Sequence, residues 1–309
     1  MPTQSEAHPE NGSRRNLLKG LAAAALLPAK IMAAGLPMIS RPIPVTGETL
    51  PVIGVGTWQS FDISAEADLA NARETLRLLA EQGGSVVDSS PMYGQSEAVV
   101  GQLAAQLGLV AKLFLATKVW SQGREAGIRQ MEASFRLMGT RRMDLMQIHN
   151  LVDAATHVRT LREWQAAQRI RYWGISHYHA SAYGDVERFM KAEKPDFLQI
   201  NYSLGEAESG VRLLPLARDL GIAVIVNRPF ASGELFNRVK GRALPVWAAD
   251  FAVASWAQFF LKWILADPAV TCVVPGTRNP KYLQDNMAAG RGRLPDAAVR
   301  VRMAALLRG

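Results

Sequence analysis

A single cysteine, Cys272, stands in a chain of 309 residues, so no intramolecular disulfide framework can hold this protein together. Its neighbours Thr271, Val273 and Val274 are those of a buried strand, which marks the thiol as packing rather than as a nucleophile. No Gly-x-Gly-x-x-Gly string follows an apolar run, and that argues against a Rossmann dinucleotide domain. Long apolar runs are missing too. The stretch 20–27 is broken by Pro28 and Lys30, short of the roughly 20 residues that cross a bilayer, so no stable membrane span is expected. Aromatics make up only 7% of the chain and do not alternate with basic residues in a stripe, so the net charge of +8 gives no support for a nucleic-acid partner. The first 34 residues contribute four basic and two acidic side chains to that charge. The remaining excess is dispersed through amphipathic segments and an arginine-rich tail at 291–308.

What is present is a regular alternation. Short apolar runs at 52–55, 85–87, 113–117, 143–148, 172–175, 197–200, 222–226 and 270–274 read as strands. Between them lie helical patterns at 65–82, 96–107, 124–138, 156–168, 180–191, 211–220 and 248–266. Repeated βα units with eight strands in a chain that is 49% hydrophobic predict an α/β protein with one core, a (β/α)8 TIM barrel. Residues 38–50, with Pro42, Pro44 and the turn Thr46-Gly47-Glu48, predict an N-terminal β-hairpin that plugs the lower end of the barrel. The longest insertion, 231–245, contains Gly233, Gly241 and Pro245; it reads as an irregular loop and a candidate clasp or lid.

Three strand ends carry chemistry. Asp88 closes the run at 85–87 and Tyr93 follows in the next loop; Lys118 ends the third run and His149 the fourth. Taken singly, Asp88 reads as a helix cap, Tyr93 as a packed phenol, Lys118 as a surface amine and His149 as a core imidazole. Together they place groups of complementary proton chemistry at the carboxyl ends of parallel strands, where a barrel keeps its active site. A phenol beside an ammonium is a plausible proton donor, because the ammonium stabilises the phenolate. Asp88 would hold the ammonium, and His149 would hydrogen-bond an oxygen gaining negative charge.

This ordered set resembles the aldo-keto reductases, whose tetrad is an Asp, a Tyr five residues later in D-x-x-x-x-Y-G, a Lys ending the next strand and a His ending the one after. Asp88, Tyr93, Lys118 and His149 match it, and the likeness extends over roughly residues 41–289. It includes Gly54-Val55-Gly56-Thr57-Trp58, Gly174-Ile175-Ser176 and Pro275-Gly276-Thr277. The resemblance implies reduction of an aldehyde or ketone with Tyr93 as general acid, and a nicotinamide cofactor lying across the barrel mouth, NADP(H) ahead of NAD(H). It assigns the carboxamide to Ser176, His177 and Gln199, with His177 replacing the commoner Asn. Thr57, Asn227, Pro229, Gly276, Thr277, Arg278 and Asn286 complete the implied cofactor set, Arg278 facing the 2′-phosphate and Asn227 standing where many members place a stacking aromatic. Trp58, Met92, Trp120 and Phe230 are expected to wall the pocket for a small-molecule carbonyl substrate. The competing reading is a non-catalytic barrel that binds the cofactor as a redox-sensing or partner-binding module. His177-Tyr178-His179 has the spacing of a metal pair but lacks accompanying acidic ligands, and no metal is expected.

Residues 1–12 are polar and aperiodic, and 1–35 are expected to be a disordered region plus a leader separate from the barrel at 36–309. Ser13-Arg14-Arg15-Asn16-Leu17-Leu18-Lys19, the apolar stretch after it and Ala33-Ala34-Gly35 look like a twin-arginine (Tat) export signal. The expected partner there is the Tat export machinery and the expected destination the periplasm, with a cytoplasmic site as the alternative.

Overall fold

The computed structural model describes residues 36–307; the leader motif at 13–35 lies outside them. Two short strands, β1 (Ser40–Pro42) and β2 (Thr49–Pro51), pair antiparallel as the hairpin expected from Thr46-Gly47. Eight parallel strands follow in chain order: β3 (Val55–Gly56), β4 (Val86–Asp88), β5 (Phe114–Val119), β6 (Met143–His149), β7 (Ile170–Ser176), β8 (Phe197–Asn201), β9 (Ala223–Asn227) and β10 (Val270–Val273). Parallel bridges from Ile53 to Val273 and from Gly56 to Gly276 join first strand to last and close the barrel. Glycine is required on both sides of this first strand, toward β4 and toward the seam. A Cβ on Gly54 would lie 2.6 Å from the Val86 carbonyl oxygen, and one on Gly56 2.8 Å from that of Val274.

Around the strands run α1 (Glu66–Glu81), α2 (Ser96–Gln106), α3 (Arg124–Leu137), α4 (Ala154–Ala166), α5 (Tyr183–Glu193), α6 (Ser209–Leu220), α7 (Glu234–Arg238), α8 (Trp256–Leu265), α9 (Pro280–Ala289) and α10 (Ala297–Ala305). The (β/α)8 architecture is therefore as the sequence predicts, with three local corrections. The insertion at 231–245 is not irregular throughout: α7 lies within it, and Phe236 from this helix packs on Phe230 and Phe260. The predicted helix at 248–266 is two pieces, a 3₁₀ turn (Val246–Phe251) and α8. Ala252 adopts a left-handed conformation between them, and Ser255 caps α8 by accepting from the Gln258 N–H. The arginine-rich tail contains a helix, α10, capped by Asp296, with Arg300 over Trp263 and Arg302 over Trp247. Arginine stems and planes there cover apolar surface, which a charge count reads as tail.

The strand period of two explains what lies inside. Val86, Phe114, Leu145, Tyr172, Phe197, Ala223, Ile225 and Cys272 face inward as an apolar packing cluster, joined from below by Ile43 and Leu50 of the hairpin. Cys272 is buried among them, as expected, and burial pushes its thiol pKa up. One or two inward steps further along the strands the side chains turn polar: Asp88, Lys118, Gln147, His149, Ser176, Gln199 and Asn227. A dry floor thus carries a polar layer at the barrel mouth. Among the described residues no helix is long and apolar enough to cross a membrane.

Ile43 is fully buried in the floor. Ile43→Ala should lower the unfolding free energy by about 2–5 kcal/mol, read from the urea midpoint at constant slope. A loss under about 1 kcal/mol would show that the floor closes without the hairpin.

Candidate active site

Asp88 ends β4 and Lys118 lies one residue before the end of β5, so pairing of these strands brings both side chains inward at the mouth. Lys118 is fully buried, and its Nζ donates to Asp88 Oδ2 and to the Ser89 carbonyl, each at 2.8 Å. Asp88 Oδ1 accepts from Gln147 Nε2 at 3.2 Å and from Gln199 Nε2 at 2.8 Å. Burial opposes charge on Lys118, but attraction to Asp88 and then to the Tyr93 phenol outweighs it and holds the ammonium above its ordinary pKa.

Tyr93 sits in the loop between β4 and α2, partly buried, with Lys118 Nζ 5.1 Å from its ring centroid. Gly94, next in that loop, has a φ of +57°, and a Cβ there would fall 2.3 Å from the Asp62 carboxylate, whose Oδ1 accepts from the Gln95 N–H at 3.0 Å. That contact fixes the turn carrying the phenol. Burial pushes the Tyr93 pKa up and the Lys118 charge pulls against it, so the proton stays on the phenol at neutral pH while a cation waits beside the phenolate. His149, at the end of β6, donates or accepts at Nδ1 with Ser176 Oγ at 3.2 Å and has its ring stacked near Tyr178 at 6.1 Å. Burial, then the charges of Lys118 and His177, pull its pKa down to about 3, so the imidazole is neutral and able to donate a hydrogen bond without carrying charge.

These groups open into a cleft of about 960 Å³. The cleft wall includes Asp88, Tyr93, His149, Thr57, Gln199, Asn227, Pro229, Gly276, Thr277 and Arg278, and also Trp58, Met92, Trp120 and Phe230, all named from the sequence. Lys118 lies beneath it. Ser176, His177 and Asn286 are not on the wall: Ser176 reaches it through Gln199, to which it donates at 3.1 Å, and Asn286 is buried in α9. The His177 ring accepts at Nδ1 from the Tyr178 and His179 N–H groups, while its carbonyl takes a hydrogen bond from Asn227 Nδ2 at 3.1 Å. Among the described residues no group of three or more His, Cys, Asp or Glu stands together as a metal site. The sequence reading missed Gln147, which period two places on the inward face with His149, and Tyr178, Asp68 and Arg228, which only tertiary structure brings to the cleft.

The profile of the Aldo/keto reductase family matches residues 52–302. The chain belongs to the aldo/keto reductase family. Its similarity reaches 29% over 247 residues, 78% of this chain and 85% of the other, with the methylglyoxal reductase YeaE of Escherichia coli. It is 25% over 313 residues, 83% of this chain and 94% of the other, with an NADH-specific methylglyoxal reductase of the same organism. A crystal structure of an aldo/keto reductase from Klebsiella pneumoniae in complex with NADP and acetate superposes with a TM-score of 0.73 at 25% identity, covering 84% of this chain and 92% of that one. The aldo/keto reductase barrel here thus has its polar layer at the carboxyl ends of its strands, where (β/α)8 enzymes carry their active sites.

A neutral imidazole at His149 has a direct consequence. Its ring protons should show no NMR titration between pH 4.5 and 8, whereas a midpoint near the ordinary histidine value of ≈ 6.5 would contradict the buried, Lys118-shadowed environment described above.

Proposed function

We propose that this protein reduces an aldehyde or ketone to an alcohol with NADP(H), Tyr93 acting as the general acid. The observation that carries the reading is the fully buried Lys118–Asp88 pair set under Tyr93 at the floor of the cleft. The cleft suits an extended dinucleotide in volume and in chemistry. At one end Asn227 Oδ1 is buried without a partner, an acceptor fit for a carboxamide N–H, and at the other Arg278 offers a guanidinium for phosphate. Gln199 stands beside Asn227, although its Nε2 is held by Asp88. The bound nicotinamide would supply hydride to the carbonyl carbon.

The chain's own residues supply the rest. Tyr93 gives its proton to the carbonyl oxygen, and Lys118 stabilises the phenolate left behind. Asp88, fixed by Gln147 and Gln199, holds Lys118 in place. Neutral His149 donates from Nε2 to the same oxygen as charge builds on it, which requires the Ser176 hydroxyl to turn from Gln199 and donate to Nδ1. Trp58 and Trp120, about half exposed at the rim, and Met92 and Phe230 make an apolar approach for the substrate.

The leader supports a second element of the proposal: export of the folded barrel through the twin-arginine route to the periplasm. Ser13-Arg14-Arg15-Asn16-Leu17-Leu18-Lys19 supports it, with 1–35 as leader and 36–309 as barrel. A route that accepts folded cargo suits a barrel that acquires its dinucleotide in the cytoplasm.

Tyr93→Phe should lower kcat on a carbonyl panel including methylglyoxal by about 10²- to 10⁴-fold, while NADPH affinity by titration calorimetry is kept. Wild-type protein that oxidises no NADPH across the panel would refute the reductase reading. For export, replacing Arg14 and Arg15 with Lys should empty the periplasmic fraction; an unchanged distribution would refute the route.

A further inference from the structure

We infer that Asp68 and Arg278 together set cofactor choice at the adenosine end of the cleft, making it able to take nicotinamide dinucleotides with or without a 2′-phosphate. This rests on the cofactor reading above. Arg278 lies in the loop after β10, and Asp68 lies in the first turn of α1. The two meet because the barrel closes between β10 and β3. Arg278 Nε donates to Asp68 Oδ1 at 2.9 Å, and each side chain keeps about a third of its surface in solvent, 37% and 34%. Both line the same cleft as Asn71, Thr277 and Asn279.

The geometry of the pair leaves each partner a free hand. The bond uses only Nε, so Nη1 and Nη2 can fork onto a phosphate. It uses only Oδ1, so Oδ2 can accept from a ribose hydroxyl. In Rossmann dinucleotide sites, a carboxylate that accepts from the ribose 2′-hydroxyl suits the cofactor without phosphate, and an arginine accommodates the 2′-phosphate; the same chemistry applies to any pocket that holds that ribose. One ion pair here holds both halves of that code. A phosphate drawn to Arg278 also meets the Asp68 charge, a repulsion tempered by solvent but not removed at contact distance. Discrimination between the two cofactors is therefore small in this chain, and Asp68 is what keeps it small.

A pair that merely clipped the β10 loop to α1 would behave differently: loosening it would weaken both cofactors alike. The test is titration calorimetry of the full chain with NADPH and with NADH at fixed ionic strength. Wild type is expected to bind the two within about tenfold of each other. Asp68→Asn should tighten NADPH, weaken NADH and move their affinity ratio by about fivefold, the scale of a partly screened charge pair. Arg278→Gln should move the ratio the other way, and added salt should shrink the Asp68→Asn shift. An unchanged ratio in Asp68→Asn, or equal losses for both cofactors, overturns the inference and leaves the reductase reading standing. Binding of neither cofactor by wild type removes both.

Discussion

An ammonium with no exposed surface is the constraint on which the rest of this structure depends. Taking a charge of that size out of water costs several kcal/mol even after relaxation, and burying its counter-ion costs as much again. Lys118 is tolerable only because Asp88 and the Ser89 carbonyl meet it at 2.8 Å and because two glutamine amides saturate the far oxygen of Asp88. Buried ion pairs can often be replaced by hydrophobic residues of similar volume with no loss of stability, so stability is no reason for this one. The pair makes sense as chemistry: against burial, the field of the Lys118 charge pulls the Tyr93 pKa down, and burial together with that field keeps His149 neutral.

The fold is arranged to make that field effective. The hairpin and the inward apolar packing close the lower end, so the polar layer is approached from the cleft side, and low polarity below it strengthens each charge interaction. The cleft is also unequal along its length. Near Tyr93 its groups are buried and hydrogen-bonded to one another, whereas at Arg278 they are a third exposed and face solvent. The proposed chemistry sits at the buried end and the proposed cofactor choice at the exposed end.

Much of this was legible in the sequence, for physical reasons. Strand alternation and the eight short apolar runs predict the barrel, because period two and burial leave few other uses for such runs. The strand-end positions of Asp88, Lys118 and His149 carry the site with them, since parallel strands converge their carboxyl ends. What was not legible depends on contacts between distant segments. Asp68 looks like a helix first-turn acid, and nothing local says that barrel closure sets it against Arg278. Asn286 matches the family pattern and His177 stands where it has Asn, yet His177 turns its ring to backbone N–H groups and Asn286 is buried in α9. The helix at Ala297–Ala305 hid in an arginine-rich segment because its guanidinium planes lie on Trp263 and Trp247, contacts between distant segments.

Lys118 holds the Tyr93 pKa below the value that burial alone would give it. The most direct measurement is the phenol titration of Tyr93, followed by NMR of ring-labelled tyrosine in wild type and in Lys118→Met. Burial raises that pKa and the ammonium lowers it, so removing the ammonium should move the Tyr93 titration to clearly higher pH in a folded variant. A titration that stays in place, or moves to lower pH, would contradict the account.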